Sequence, residues 1–190
     1  MIRCYVTNRR SLPAGDTLLS AIARNLKSGA DWIQIREKDL SARALFDVVA
    51  AALALPNPRD VKFLVNTRVD VALAAGAAGA HLPSDPPSAS YWRGIVPAGF
   101  LLGVSCHSID GLKRAEAEGA DYALFGPVFE PISKNSPLAA VGVKGLREAV
   151  RAVRIPVLAL GGITEENATS CLDTGARGIA GISLFQTHDS

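Results

Sequence analysis

Gly29-Ala30-Asp31-Trp32-Ile33-Gln34-Ile35-Arg36-Glu37-Lys38 passes from a helix stop, through an alternating apolar run, into a cluster of charge. Glycine at the end of a helix takes the left-handed conformation without a Cβ clash, and a small neighbour then lets the chain turn tightly into a sheet. The same Gly-Ala pair recurs at Gly76-Ala77, Gly119-Ala120 and Gly175-Ala176, each two or three residues ahead of a β-rich run. Eight such runs are predicted as strands, near Arg3 to Val6, Trp32 to Arg36, Lys62 to Asn66, Gly79 to Leu82, Leu101 to Ser105, Tyr122 to Phe125, Val157 to Leu160 and Gly178 to Ile182. The Gly-Ala pairs precede every even-numbered one.

Stretches of helical period lie between them, near Thr17 to Lys27, Ala42 to Ala54, Val69 to Ala75, Ile109 to Glu118, Gly145 to Val153 and Glu165 to Thr174. Pro86 to Trp92 fits neither pattern cleanly. Alternating strands and helices specify βαβ units around a parallel sheet. A doubly wound open sheet shares this local grammar; eight strands in a chain of 190 residues favour one closed domain, an α/β fold of the (βα)8 TIM-barrel type over residues 1–190. After the eighth strand only Ser183 to Ser190 remain, too few for a covering helix, so the barrel is expected to lack its last helix. An uncovered apolar strip predicts self-association into a homo-oligomer.

Composition narrows the function. With 48% hydrophobic and 20% charged residues the chain can bury a core, and its net charge of +2 is scattered rather than gathered on one face. That excludes the basic surface of a nucleic-acid binder and suits small anionic ligands. Cys4, Cys106 and Cys171 are far apart and lack metal-type spacing, so they are expected as buried thiols in a reducing compartment. Neither a signal-type amino terminus nor an apolar run of membrane-spanning length is found, and the cytoplasm is the expected location.

Ligands of such barrels sit at the carboxyl ends of the strands. There, alternation aims Gln34, Arg36 and Lys38 to one side, an amide and two cations suited to a diphosphate. The competing reading is a surface salt bridge to Glu37 or Asp39. Asn66 closes strand three, Ser105 and His107 follow strand five, and His81 ends strand four. Ser133 and Lys134 occupy the long loop from Gly126 to Val141, with Lys134 expected to fold over an anion. Gly161-Gly162-Ile163-Thr164 and Gly181-Ile182-Ser183 end strands seven and eight as a two-turn phosphate cup.

Taken in order, Gln34-Ile35-Arg36-Glu37-Lys38, Asn66 to Asp70, Gly103-Val104-Ser105, Ala120-Asp121-Tyr122, Gly126-Pro127-Val128-Phe129, Lys134 and Gly161-Gly162-Ile163 resemble the thiamine phosphate synthases and the related TenI-like thiazole tautomerases. The resemblance spans nearly the whole chain. It implies a transferase of thiamine biosynthesis that couples hydroxymethylpyrimidine diphosphate to thiazole phosphate and releases diphosphate. The family's diphosphate-binding positions match Arg36, Lys38, Asn66, Ser105 and Lys134; Arg36, Lys38, Ser105 and Lys134 are the expected catalytic residues, with His107 as a stand-in proton carrier. Substrate binding would fall to Gln34, Asn66, Ser133, Gly161, Gly162, Ile182 and Ser183. The implied partners are the phosphorylated pyrimidine and thiazole, with no nucleic acid and no membrane.

The sequence departs from the pattern where the synthases hold Mg2+. Thr67 and Pro86 stand where the family has aspartates, leaving Asp85 as the neighbouring carboxylate. The tautomerases also lack those carboxylates, but the histidine they use after strand six is Pro127 here. Three readings stay open at this level: synthase first, thiazole phosphate tautomerase second, and a non-catalytic binder of thiamine-pathway phosphates third.

Overall fold

Alternation along each strand sorts its side chains between two cores. In the computed structural model, which describes residues 1–27, 29–85, 87–130 and 138–186, the strands are β1 (Ile2–Val6), β2 (Trp32–Ile35), β3 (Lys62–Asn66), β4 (Gly79–Leu82), β5 (Leu101–Cys106), β6 (Tyr122–Phe125), β7 (Val157–Leu160) and β8 (Gly178–Gly181). All pair in parallel with their sequence neighbours, and β1 pairs with β8, so the sheet closes into a barrel. One face of the strands turns inward: Cys4, Val6, Leu64, Tyr122, Leu124, Leu158 and Ala180 form the barrel's own core. The other face, with Ile33, Ile35, Val65, Ala123, Ala159 and Ile179, packs under the helices. The open-sheet alternative is thereby excluded.

The helices are α1 (Leu18–Lys27), α2 (Ala42–Leu53), α3 (Val69–Ala75), α4 (Ala89–Arg93), α5 (Ile109–Ala117), α6 (Gly142–Ala152), α7 (Glu165–Leu172) and α8 (Ser183–Gln186). The four recurrent glycines, Gly29, Gly76, Gly119 and Gly175, all have positive φ, between 75° and 105°. Each following alanine is buried. A further signal in the same motif escaped the sequence reading: Asp31 and Asp121 accept the amides of the second residues of the neighbouring strands, Arg3 N at 2.8 Å and Leu102 N at 2.7 Å. These carboxylates help set the strand register from the amino-terminal end. The ambiguous segment resolves into α4, a helix of five residues.

The last element differs from the expectation of no helix. One turn, α8, does form, because its residues find partners on β1 and α1. Phe185 stacks on Tyr5 with ring centroids 5.7 Å apart, and Gln186 Nε2 donates to Tyr5 Oη at 3.1 Å. Asn25 Nδ2 donates to the Phe185 carbonyl at 3.0 Å. A buried aromatic and four side-chain hydrogen bonds, including Ser11 Oγ to Gln186 Oε1 and Gln186 Nε2 to the Asn8 carbonyl, thus cover the seam between β8 and β1. All three cysteines are buried, as the sequence predicted, and Cys106 faces the helical layer; burial pushes its thiol up to about 11. Among the described residues no helix is long and apolar enough to cross a membrane.

Inside the barrel, Tyr122 is fully buried and packs edge-on against Trp32 with centroids 4.7 Å apart. Its ring occupies the space a side chain on β5 would need: a Cβ on Gly103 would lie 2.0 Å from Tyr122 Cζ. Gly103→Ala must therefore displace the tyrosine or the strand. A loss of about 1–3 kcal/mol in unfolding free energy is expected, read from a lowered urea midpoint at unchanged m-value.

Candidate active site

The carboxyl end of β2 is held by a network centred on Glu37, which is 5% exposed. Thr7 Oγ1 donates to Glu37 Oε1 at 2.7 Å and accepts the Arg36 amide at 2.9 Å. Arg9 donates to Glu37 Oε2 at 3.1 Å and grips Asp39 with two further bonds of 2.7 and 2.6 Å. Arg10 adds a third donor to Asp39 at 2.8 Å. Arg9 holds the Asp39 carboxyl down to about 2. The salt bridge considered for Arg36 and Lys38 is thus taken by arginines of the β1–α1 loop, a partner that sequence spacing could not reveal.

Arg36 keeps its charge for something else. Its guanidinium is half-buried and makes no hydrogen bond or ion pair among the described residues, while burial pulls its pKa down and the nearby Glu37 opposes this. A cation in that state gains much from an anionic ligand, because such a pair restores the solvation lost on folding. Gln34 lies one turn of the alternation deeper, 1% exposed, and its Nε2 has no acceptor among the described residues. Lys38 is exposed in the turn beyond. The strand ends at Ile35, so alternation does not fix the direction of Lys38 as it does for Gln34.

On the neighbouring strand, Asn66 is half-buried at the end of β3 and Thr67 follows with φ of 60°. That conformation is costly for a β-branched residue. Thr67 Oγ1 donates to the Asn66 carbonyl at 2.7 Å, and its amide donates to the His81 carbonyl at 2.8 Å. The Asp70 carboxylate is occupied by Arg68, and Asp85 is exposed on the loop after β4. No cluster of three metal-ligating side chains occurs among the described residues. Ser105 is half-buried, with Oγ 2.8 Å from His81 Nε2. A cavity of about 380 Å3 opens beside it, lined by Pro83, Asp85, His107, Ser108 and Arg114 among others.

His107 is pinned by its Nδ1, which donates to the Gly126 carbonyl at 2.6 Å. Next to it, the glycines after β7 serve packing as well as any ligand. Gly161 and Gly162 have φ of 95° and 62°, and a Cβ on either would meet the β6–α6 loop, at 2.6 Å from Pro127 Cα and 2.5 Å from the Glu130 carbonyl. Val128 and Phe129 donate to the carbonyls of Leu160 and Gly161 at 2.8 and 3.1 Å, so the loop lies directly on this turn. Asn167 closes a capping box with Thr164 and also donates to the Gly162 carbonyl at 2.8 Å. The amides of Gly162 and Ile163 have no acceptor among the described residues. Ile182 and Ser183 stand at the neighbouring exit, where β8 turns into α8. Ser133, Lys134 and Pro86 lie outside the described residues.

The fold is a (βα)8 barrel that gathers cationic and polar side chains at the carboxyl ends of its strands. The model of the thiamine monophosphate synthase family matches residues 4–185, and the chain belongs to that family. It is 38% identical to the thiamine-phosphate synthase of Methanoculleus marisnigri, over 94% of this chain and 85% of that protein. The thiamine-phosphate synthase of Chlorobium luteolum is 37% identical, over 100% of this chain and 87% of its own. Among solved structures, the thiamine phosphate pyrophosphorylase of Pyrococcus furiosus superposes with a TM-score of 0.86 at 34% identity, covering 99% of this chain and 89% of that one.

His81, 2% exposed, is a buried titratable group of this mouth, as Glu37 is. Burial and then the charge of Arg36 lower its pKa from 6.5 to about 3. Between those values the unfolded chain binds a proton that the folded chain refuses, so stability falls as the pH drops through this window. The acid limb of an unfolding-versus-pH curve is expected to flatten in His81→Gln; an unchanged limb would reject the assignment.

Proposed function

We propose that the chain couples hydroxymethylpyrimidine diphosphate to thiazole phosphate, as a transferase of thiamine biosynthesis in the cytoplasm. The observation that carries this reading is the half-buried Arg36 guanidinium, held at the barrel mouth with its neighbouring carboxylates already satisfied by Arg9 and Arg10. Departure of a diphosphate from a pyrimidine carbon needs concentrated positive charge and correct placement, and it demands no general base of tuned pKa. Arg36 binds the leaving diphosphate, joined by Lys38, Asn66, Ser105 and Lys134. The unpaired amides after β7, with Ser183 on the adjacent strand exit, receive the thiazole phosphate.

A tautomerase would need a proton carrier at the β6 exit. Pro127 cannot serve; His107, whose Nδ1 donates to the Gly126 carbonyl and whose basic nitrogen is then Nε2, belongs to the β5 exit. The carboxylate left for a magnesium ion held by the chain is that of Asp85, exposed on the loop after β4. Such an ion normally takes one or two carboxylates, whereas Thr67 spends its hydroxyl on a carbonyl and Arg68 holds Asp70. The homo-oligomer expected from the short last helix belongs to the same proposal; Leu19, Tyr91 and Ile95 are exposed apolar side chains available to a contact.

The deciding experiment follows thiamine phosphate and diphosphate release by the purified protein given both substrates, with and without Mg2+. Product formation supports the synthase; its absence with saturable thiazole phosphate binding points to a binder. Arg36→Ala is expected to weaken diphosphate binding by about 2 kcal/mol, and unchanged affinity in calorimetric titration would reject the pocket. Thr67→Asp places a carboxylate where the left-handed backbone tolerates Asp better than Thr. Tighter Mg2+ binding in the presence of diphosphate is the expected result of that substitution.

A further inference from the structure

Tyr122, His81 and Ser105 form a line across the inside of three neighbouring strands, running toward the mouth. Tyr122 Oη lies 3.1 Å from His81 Nδ1, and His81 Nε2 lies 2.8 Å from Ser105 Oγ. We propose that this line fixes His81 in its Nε2–H form and thereby leaves the Ser105 O–H free to donate to an anion, making His81 and Tyr122 positioning residues for anion binding. The anion half of this rests on the diphosphate reading of the mouth.

Proton counting carries the argument. A neutral imidazole has one donor and one acceptor, and burial with pKa near 3 keeps His81 neutral at ordinary pH. Tyr122 is fully buried among Leu64, Leu124 and Leu158, and His81 Nδ1 is the acceptor its hydroxyl reaches among the described residues. A proton on Nδ1 would strand the phenol hydrogen in apolar surroundings, at the full desolvation cost of an unpaired donor. The phenol therefore donates to Nδ1, and the imidazole proton sits on Nε2, donating to Ser105 Oγ.

The consequence appears at Ser105. With one lone pair taken by His81, its hydroxyl hydrogen has no other acceptor among the described residues, and the half-exposed side chain presents that hydrogen at the mouth. In the opposite tautomer Ser105 would donate inward and turn only lone pairs toward the ligand, which repel an anion. A phenol at the barrel's centre thus sets the polarity of a hydroxyl at its rim. Gly103 makes the line possible, because any side chain there would occupy the tyrosine's place.

Long-range 1H–15N NMR of the ligand-free protein reports which ring nitrogen of His81 carries the proton, independent of any substrate. Protonated Nε2 is expected, and protonated Nδ1 overturns the proposal. Tyr122→Phe keeps the ring over Gly103 and removes the hydroxyl. It should release the tautomer bias and weaken inorganic diphosphate binding about threefold to tenfold. In a Ser105→Ala background the same substitution should change binding little. Equal losses in both backgrounds would mean that Tyr122 only packs, which overturns the proposal. If the unaltered protein binds no diphosphate while Nε2 is protonated, the diphosphate reading fails and takes the anion half with it.

Discussion

The ring of Tyr122 against the bare backbone of Gly103 is the contact on which the barrel interior depends. Eight short strands close only if their inward side chains fill the tube without overfilling it, as protein interiors tolerate neither voids nor excess volume. One large aromatic facing a strand without a side chain solves that problem at the level of β5 and β6. The same aromatic brings a hydroxyl into an apolar tube, and a hydroxyl there must be paired. His81 pairs it, Ser105 pairs His81, and a packing solution thereby becomes a feature of the ligand-binding mouth.

Charge is organised by a comparable division of labour. The β1–α1 loop supplies Arg9 and Arg10 to the carboxylates of Glu37 and Asp39, so the cation at the β2 exit is not cancelled by its sequence neighbours. Thr7 ties the two halves together, donating to Glu37 and accepting the Arg36 amide. Pairs exposed at the surface contribute little to stability by themselves. Here their effect is positional: they occupy the anions that would otherwise compete with a ligand for Arg36. At the opposite rim, Gly161 and Gly162 admit the β6–α6 loop onto β7, and the amides of Gly162 and Ile163 have no acceptor among the described residues.

The departure from the synthase pattern lies at the magnesium-binding positions, and the departure from the tautomerase pattern at the β6 exit. Thr67 sits in a left-handed conformation that suits Asn or Asp better, and its hydroxyl is turned back to a carbonyl of the chain. Pro127 takes a backbone position against Gly161, where a histidine would carry a proton in the tautomerases. What survives is the cationic and hydroxyl set, which matches a reaction whose main demand is stabilising a departing diphosphate.

The sequence by itself determined the eight strands, the left-handed glycines before β2, β4, β6 and β8, the burial of all three cysteines, and the grouping of polar residues at strand exits. Those features follow from local rules: the period of two in a strand, the Cβ clash at positive φ, and the geometry of βα units. The tertiary structure alone decided which carboxylates Arg36 escapes, how one turn of helix covers the β8–β1 seam, and that His81 joins Tyr122 to Ser105. Each of those is a contact between residues 24 to 181 positions apart in the chain. Hydrogen-bond partners at such distances are chosen by barrel closure and register, which no local pattern encodes.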